Sequence, residues 1–159
     1  MTSRISILEF RNRLKSNTKI GLLHFKRELG MFSIFFPNSK CFYGKFDDTT
    51  FRLMLNSNFI SPIYILNGEY QNVSGMLKLN YAVIPLSKTY IVVMKYFPLV
   101  LLIGFNSFLY FDLKNVPDIA YIIFNSLIAL GFFYSRWQLK HEKKKLVQKF
   151  NKIFEIDIE

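Results

Sequence analysis

The chain has 159 residues, 51% of them hydrophobic, 18 of them phenylalanine, and a formal net charge of +10 at pH 7. That length holds about one domain, but the charge is uneven: residues 1–89 carry +7, residues 90–135 sum to zero and residues 136–159 carry +3. A basic chain interrupted by a 46-residue neutral block is not composed like a nucleic-acid-binding domain, and its excess charge is read as attraction to anionic lipid head groups.

One cysteine, Cys41, excludes an internal disulfide. The opening "MTSRISILEFRNRLKS" lacks the apolar core and small-residue cleavage site of a secretory signal. Within it, "SILE" from Ser6 to Glu9 is a capping box, and Ile7, Leu8, Phe10 and Leu14 recur at roughly helical spacing. The spacing predicts a helix over about 6–16 that covers one face of a sheet. Residues 19–30, "KIGLLHFKRELG", fit helix or strand equally.

From Met31 the apolar period becomes two. "MFSIFF" ends at the turn cluster Pro37-Asn38-Ser39. "CFYGKF" places Phe42, Gly44 and Phe46 on one face, "DDTT" turns, and "FRLMLN" places Phe51, Leu53 and Leu55 on one face with Arg52 opposite. "IYILNGEYQ" and "MLKLNYAVI" follow, joined through "NVSG". Short links of this kind predict a mainly antiparallel meander of four or five strands. Gly44 and Gly68, inside strands, mark bulges or a close approach of backbones.

"FYGKFDDTTFRLML", then "FISPIYILNGEY", then a further strand and an apolar helical pair resemble small uncharacterised bacterial membrane proteins. Those carry an N-terminal β-rich domain followed by two transmembrane helices. The resemblance covers roughly residues 40–137 and lies in Tyr43, Gly44, Phe46, Phe51, Pro62 and Gly68. It implies an architecture and no chemistry.

Two apolar stretches follow. Tyr90 to Phe111 is 22 residues with one charge, Lys95, and Ile119 to Trp137 is 19 residues with one charge, Arg136. A bilayer core of about 30 Å needs about 20 helical residues. The seven-residue connector 112–118 allows only a tight turn, so an antiparallel transmembrane hairpin is expected. Tyr90, Tyr96, Tyr110, Tyr134 and Trp137 stand near the segment ends, where amphipathic rings settle at a membrane interface. Lys95 can snorkel to the head groups, and Pro98 is placed in the first turns after Lys95, where a missing N–H is tolerated best. Lysine and arginine flank the hairpin on its two terminal sides, which puts both termini in the cytoplasm and the protein in the inner (plasma) membrane as a multi-pass chain.

Asn106 and Asn125 fall at similar depth in such a hairpin. Mutual hydrogen bonding between the helices resolves their polarity; contact with a second copy and a substrate pathway stay open as alternatives. Gly104, Ser107, Ser126 and Ala129 are small enough to let the backbones approach.

After the second stretch six of the ten residues from Arg136 to Lys145 are charged at neutral pH. Arg136, Lys140, Lys143, Lys144 and Lys145 are the candidate membrane-surface basic residues. The tail 138–159 is expected to be an amphipathic helix to about Phe154, with Leu139, Leu146, Phe150 and Ile153 on one stripe. It can lie on the inner leaflet or cover the open face of the sheet. The final "EIDIE" adds an edge strand or frays.

The fold class expected is therefore an α+β membrane protein. A cytoplasmic helix and β-meander domain spans 1–88, a hairpin spans 89–137 with helices 90–111 and 119–137, and a basic tail helix spans 138–159. Catalytic signals are poor. His24 and His141 have no second ligand at metal spacing, Asp47-Asp48 reads as turn chemistry, Cys41 has no nearby histidine, and there is no glycine-rich phosphate loop. No catalytic, cofactor or metal residue is expected, and the chain is not read as an enzyme. The reading is a membrane-anchored, non-catalytic binding or scaffolding protein whose partners are the lipid bilayer, anionic head groups and an unknown protein. Homo-oligomerisation is left open and nucleic acid excluded. The alternative is a subunit of an oligomeric transporter or channel.

Overall fold

The computed structural model describes residues 2–3, 5–21, 40–56, 62–73, 75–112 and 117–157. The expected strand "MFSIFF" and most of 19–30 lie outside them, as do residues 113–116 of the connector. The chain is α+β and divides into two compact units, Met1–Leu86 with Glu142–Glu159, and Ser87–His141.

In the first unit, β1 (Thr2–Ser3) precedes α1 (Ile7–Asn17), then come β2 (Thr18–Ile20), β3 (Phe42–Phe46), β4 (Thr50–Leu55), β5 (Tyr64–Val73) and β6 (Met76–Pro85). In the second, α2 (Lys88–Asp112) is followed by the start of α3 (Asp118–Phe154), whose end returns to the first unit before β7 (Ile156–Asp157). The sheet order among the described residues is β2-β3-β4-β5-β6-β1-β7. The run β3 to β6 is the antiparallel meander that short turns dictate. The whole sheet is mixed, because β2 pairs parallel to β3, Lys19 beside Tyr43.

Local chemistry sets these elements. Ser6 caps α1 with extended backbone (φ −70°, ψ 159°), its hydroxyl accepting from the Glu9 N–H. Glu9 does not complete a capping box; its carboxylate accepts from Arg13 Nε one turn on, at 2.7 Å. The β3–β4 turn is closed by Asp47, which accepts from the N–H groups of Thr49 (2.9 Å) and Thr50 (2.6 Å) and from the Thr50 hydroxyl (2.8 Å). At Gly44 a Cβ would run into the backbone carbonyl of Arg52 on the neighbouring strand, so only glycine fits there.

The main aromatic core lies on one face of the sheet; on the other face Met54 and Ile65 are also buried. Phe42, Phe51, Leu53, Leu66, Tyr70, Leu77 and Leu79 point into the main core from the strands, Phe10 and Leu14 from α1, and Leu146, Phe150 and Phe154 from the end of α3. Phe150 stacks on Phe51 at 5.2 Å, and Phe154 meets Phe10 at 4.7 Å. Each such ring contributes about 1.5–3 kcal/mol by leaving water. Of the two placements expected for the tail, the structure takes the one on the sheet. The tail is not a separate element: α3 runs unbroken through 37 residues, and Glu142–Glu159 belongs with the sheet because its apolar stripe is part of that core.

The end of α3 is held from the N-terminal segment. Ser3 Oγ donates to the Phe154 carbonyl at 2.7 Å, and Arg13 Nη1 donates to the Ile153 carbonyl at 2.8 Å and to Glu155 Oε1 at 2.7 Å. Carbonyls of the last turn have no partner within the helix, and these donors supply one. Glu155 takes a left-handed φ of 48°, which ends the helix and lets β7 pair with β1, Ser3 beside Ile156. The closing "EIDIE" thus supplies an edge strand.

The second unit holds α2 and the start of α3, two helices long and apolar enough to cross a membrane. At about 1.5 Å per residue α3 is about 55 Å long, so only part of it can occupy a bilayer core of about 30 Å. Large apolar side chains on both helices are exposed, among them Ile103 at 65% and Phe133 at 69%. Two sequence expectations need correction. Pro98 follows Lys95 within a turn, but because α2 begins at Lys88 it stands about three turns inside the helix, beyond the first turn where a missing N–H is tolerated best. A Cβ at Gly104 would meet nothing within 4 Å, so Gly104 is not a point of close helix approach.

Candidate functional site

The structure brings Asn106 and Asn125 together. Asn106 Nδ2 donates to Asn125 Oδ1 at 2.8 Å, and Asn125 Nδ2 donates to Asn106 Oδ1 at 3.2 Å. Each amide also donates back along its own helix, to Leu102 at 2.6 Å and to Tyr121 at 3.0 Å. All four amide N–H donors are therefore used. Beside them the rings of Phe105 and Phe124 meet at 4.8 Å. No amide donor is left over, while each amide oxygen accepts one hydrogen bond from its partner.

The five basic candidates do not form one group. Arg136, Lys140, Lys143, Lys144 and Lys145 are all exposed, but at about 100° per residue Lys145 falls half a turn round from Arg136. Lys145 instead lines up with Lys149 and Lys152 at spacings of four and three, roughly opposite the buried stripe of Leu146, Phe150 and Phe154. Arg136 places its guanidinium carbon 4.1 Å from the centroid of the Phe132 ring. On the other side of α3, Trp137 stacks on His141 at 5.0 Å and 19°. Cys41 is partly buried and free, and no group of three potential metal ligands occurs among the described residues.

A further feature lies on the sheet face away from the aromatic core. Strand alternation puts Thr50, Glu69 and Asn80 in one cross-strand row and Gln71 and Lys78 in the next. All five are exposed and line a groove of about 640 Å³. Neither Glu69 nor Lys78 forms an ion pair with a described residue. Small-molecule pockets are mostly apolar and enclosed, so this polar, open groove suits a hydrogen-bonding macromolecular surface better. The opposite phase of the same strands carries the core, and that alternation was the available sequence signal: Asn67, Glu69 and Gln71 recur at period two.

A second, smaller groove of about 400 Å³ runs between α1 and the β3–β4 turn. Of its two cations, Arg11 and Lys15, the first is already engaged. Arg11 Nη2 donates to the Asp48 carbonyl at 2.8 Å, lies 3.4 Å from the Asp48 carboxylate, and has its guanidinium 5.9 Å from the Tyr70 ring centroid. Tyr70 donates its hydroxyl to the Asp47 carbonyl at 2.7 Å, and burial pushes its ionisation upward. Both observations mark this groove as a structural seam. The chain matches no protein-family model, no curated protein and no solved structure.

Proposed function

We propose that the chain is a membrane-anchored, non-catalytic binding module. In this reading α2 and the uncharged first half of α3 cross the plasma membrane, both termini lie in the cytoplasm, and the sheet presents its polar groove to a protein partner. The observation that carries the reading is the asymmetry of the sheet. One face is filled by aromatic rings from α1 and α3, while Thr50, Glu69, Gln71, Lys78 and Asn80 on the other are exposed beside an open groove. Charges of both signs and neutral amides, unpaired among the described residues, give a partner specific hydrogen bonds and like-charge rejection of wrong ones.

The test is site-specific photo-cross-linking in intact membranes. A photoreactive side chain at Gln71 is expected to trap a defined partner that the same group at Lys149, on the far side of α3, does not trap. Substituting Glu69→Ala and Lys78→Ala should abolish the adduct. The same products from both positions, or none from Gln71, overturn the reading.

A further inference from the structure

Along α3 the chain passes from no charge at all between Ile119 and Ser135 to a dense basic run starting at Arg136. Helical side chains lean toward the N-terminus of their helix, and Arg136 does so, laying its guanidinium over Phe132 one turn earlier. The aromatic face fixes the cation without using its hydrogen-bond donors. No hydrogen bond or ion pair joins Arg136 to another described residue, so its planar fork of five N–H groups is open. Lys140 follows on the same face, exposed, about 6 Å further along the axis and about 40° round it. From Phe132 to His141 there is no acidic residue to compete.

We infer that Arg136 and Lys140 form a binding site for the phosphate of an anionic phospholipid. The inference rests on the proposal that α3 crosses a bilayer. The planar guanidinium matches two phosphate oxygens, and the lysine adds a point charge that favours a headgroup of net negative charge. Lipid is a better occupant than an acidic peptide because the site adjoins exposed apolar surface, Leu130 at 65% and Phe133 at 69%, that an acidic peptide would not cover. Nearby, Tyr134 meets Trp137 in a tilted contact at 5.9 Å and Trp137 stacks on His141 at 5.0 Å, and tyrosine and tryptophan are the rings that settle at a membrane interface. Lys145, Lys149 and Lys152 are outside the site. They lie about 14–24 Å beyond Arg136 along the axis, more than a Debye length of about 8 Å from phosphates at that level.

Trp137 is the chain's single tryptophan and reports on the lipid beside it. The full chain is reconstituted in mixed phosphatidylcholine and phosphatidylglycerol vesicles, with bromine on the acyl chains of one lipid or the other to quench Trp137. At equal mole fraction, brominated phosphatidylglycerol should quench as though enriched about fivefold around Trp137. The Arg136→Gln/Lys140→Gln variant should bring the two lipids to equality, while Lys145→Gln/Lys149→Gln/Lys152→Gln keeps the preference. Equal quenching of the unaltered chain, or equal loss in both variants, overturns the site and leaves the spans standing. Quenching by neither lipid overturns the bilayer reading and the site with it.

Discussion

Asn106 and Asn125 face each other amide to amide, two hydrogen bonds joining α2 to α3 at the level of the Phe105–Phe124 ring contact. Each amide is satisfied by the other.

Replacing one of them strands its partner. Asn106→Leu or Asn125→Leu is expected to cost roughly 0.6–2 kcal/mol of hairpin stability. The double variant should cost no more than the worse single one, because two leucines leave no unpaired amide. Thermal unfolding of the four proteins in mild detergent checks this. Strictly additive losses would mean that the two side chains act independently.

A second clasp holds the sheet unit. Arg13 joins Glu9 on its own helix to the Ile153 carbonyl and Glu155 at the end of α3, and hydrogen bonds to both carboxylates raise its ionisation further above the ordinary arginine value. The guanidinium is partly exposed, 28% for the side chain, which limits its worth to about 1–2 kcal/mol. Arg13→Met should lose about that much. It should also speed hydrogen exchange in β7 and the last turn of α3, while β4 and β5 stay protected. Uniform loss of protection across the sheet would contradict a local clasp.

The sheet was legible in the sequence where alternation was strict. Phe42, Gly44, Phe51, Leu53 and Leu55 all fall on the face that the two-residue period assigned, and the amide pair was legible because depth in a hairpin follows from counting residues. Three features were not legible. The parallel pairing of β2 with β3 depends on what returns to the sheet edge after a long connection, which local pattern does not encode. The fate of the tail's apolar stripe was ambiguous because a sheet and a leaflet offer the same apolar surface to Phe150 and Phe154. The five basic residues read as one cluster because they are close in sequence, whereas rotation along an unbroken helix separates Lys145 from Arg136.

The β3–β4 turn should make stability depend on acid. Hydrogen bonds from the Thr49 N–H, the Thr50 hydroxyl and the Thr50 N–H hold Asp47 down to about 2, against an unfolded value near 4. A depressed carboxylate stabilises the fold above the unfolded value, and the contribution fades as pH falls from about 4 through about 2. Asp47→Asn should be less stable than the unaltered chain at pH 7 and should show a flatter stability profile between those limits. Equal slopes for the two proteins in that window would rule the turn out as a titrating element.

Tyr81 and Asn151 make a further bridge between sheet and helix. The Tyr81 hydroxyl donates to Asn151 Oδ1 at 2.8 Å, the Tyr81 ring lies edge-on to Phe150 at 5.2 Å, and burial raises the tyrosine's ionisation. Asn151 is only 8% exposed, and its Nδ2 has no partner among the described residues. The bridge is therefore half satisfied: one good bond sits beside one orphaned donor in a low-dielectric core. Tyr81→Phe alone removes the donor that Oδ1 uses and should cost about 1–2 kcal/mol. Asn151→Leu alone strands the tyrosine hydroxyl but also removes the orphaned amide, so its cost should be smaller. The pair Tyr81→Phe/Asn151→Leu leaves only apolar atoms at the contact and should come out close to the unaltered chain, or above it, in thermal unfolding. A double variant as unstable as the sum of its singles would mean that the two side chains act independently and that the bridge does not couple them.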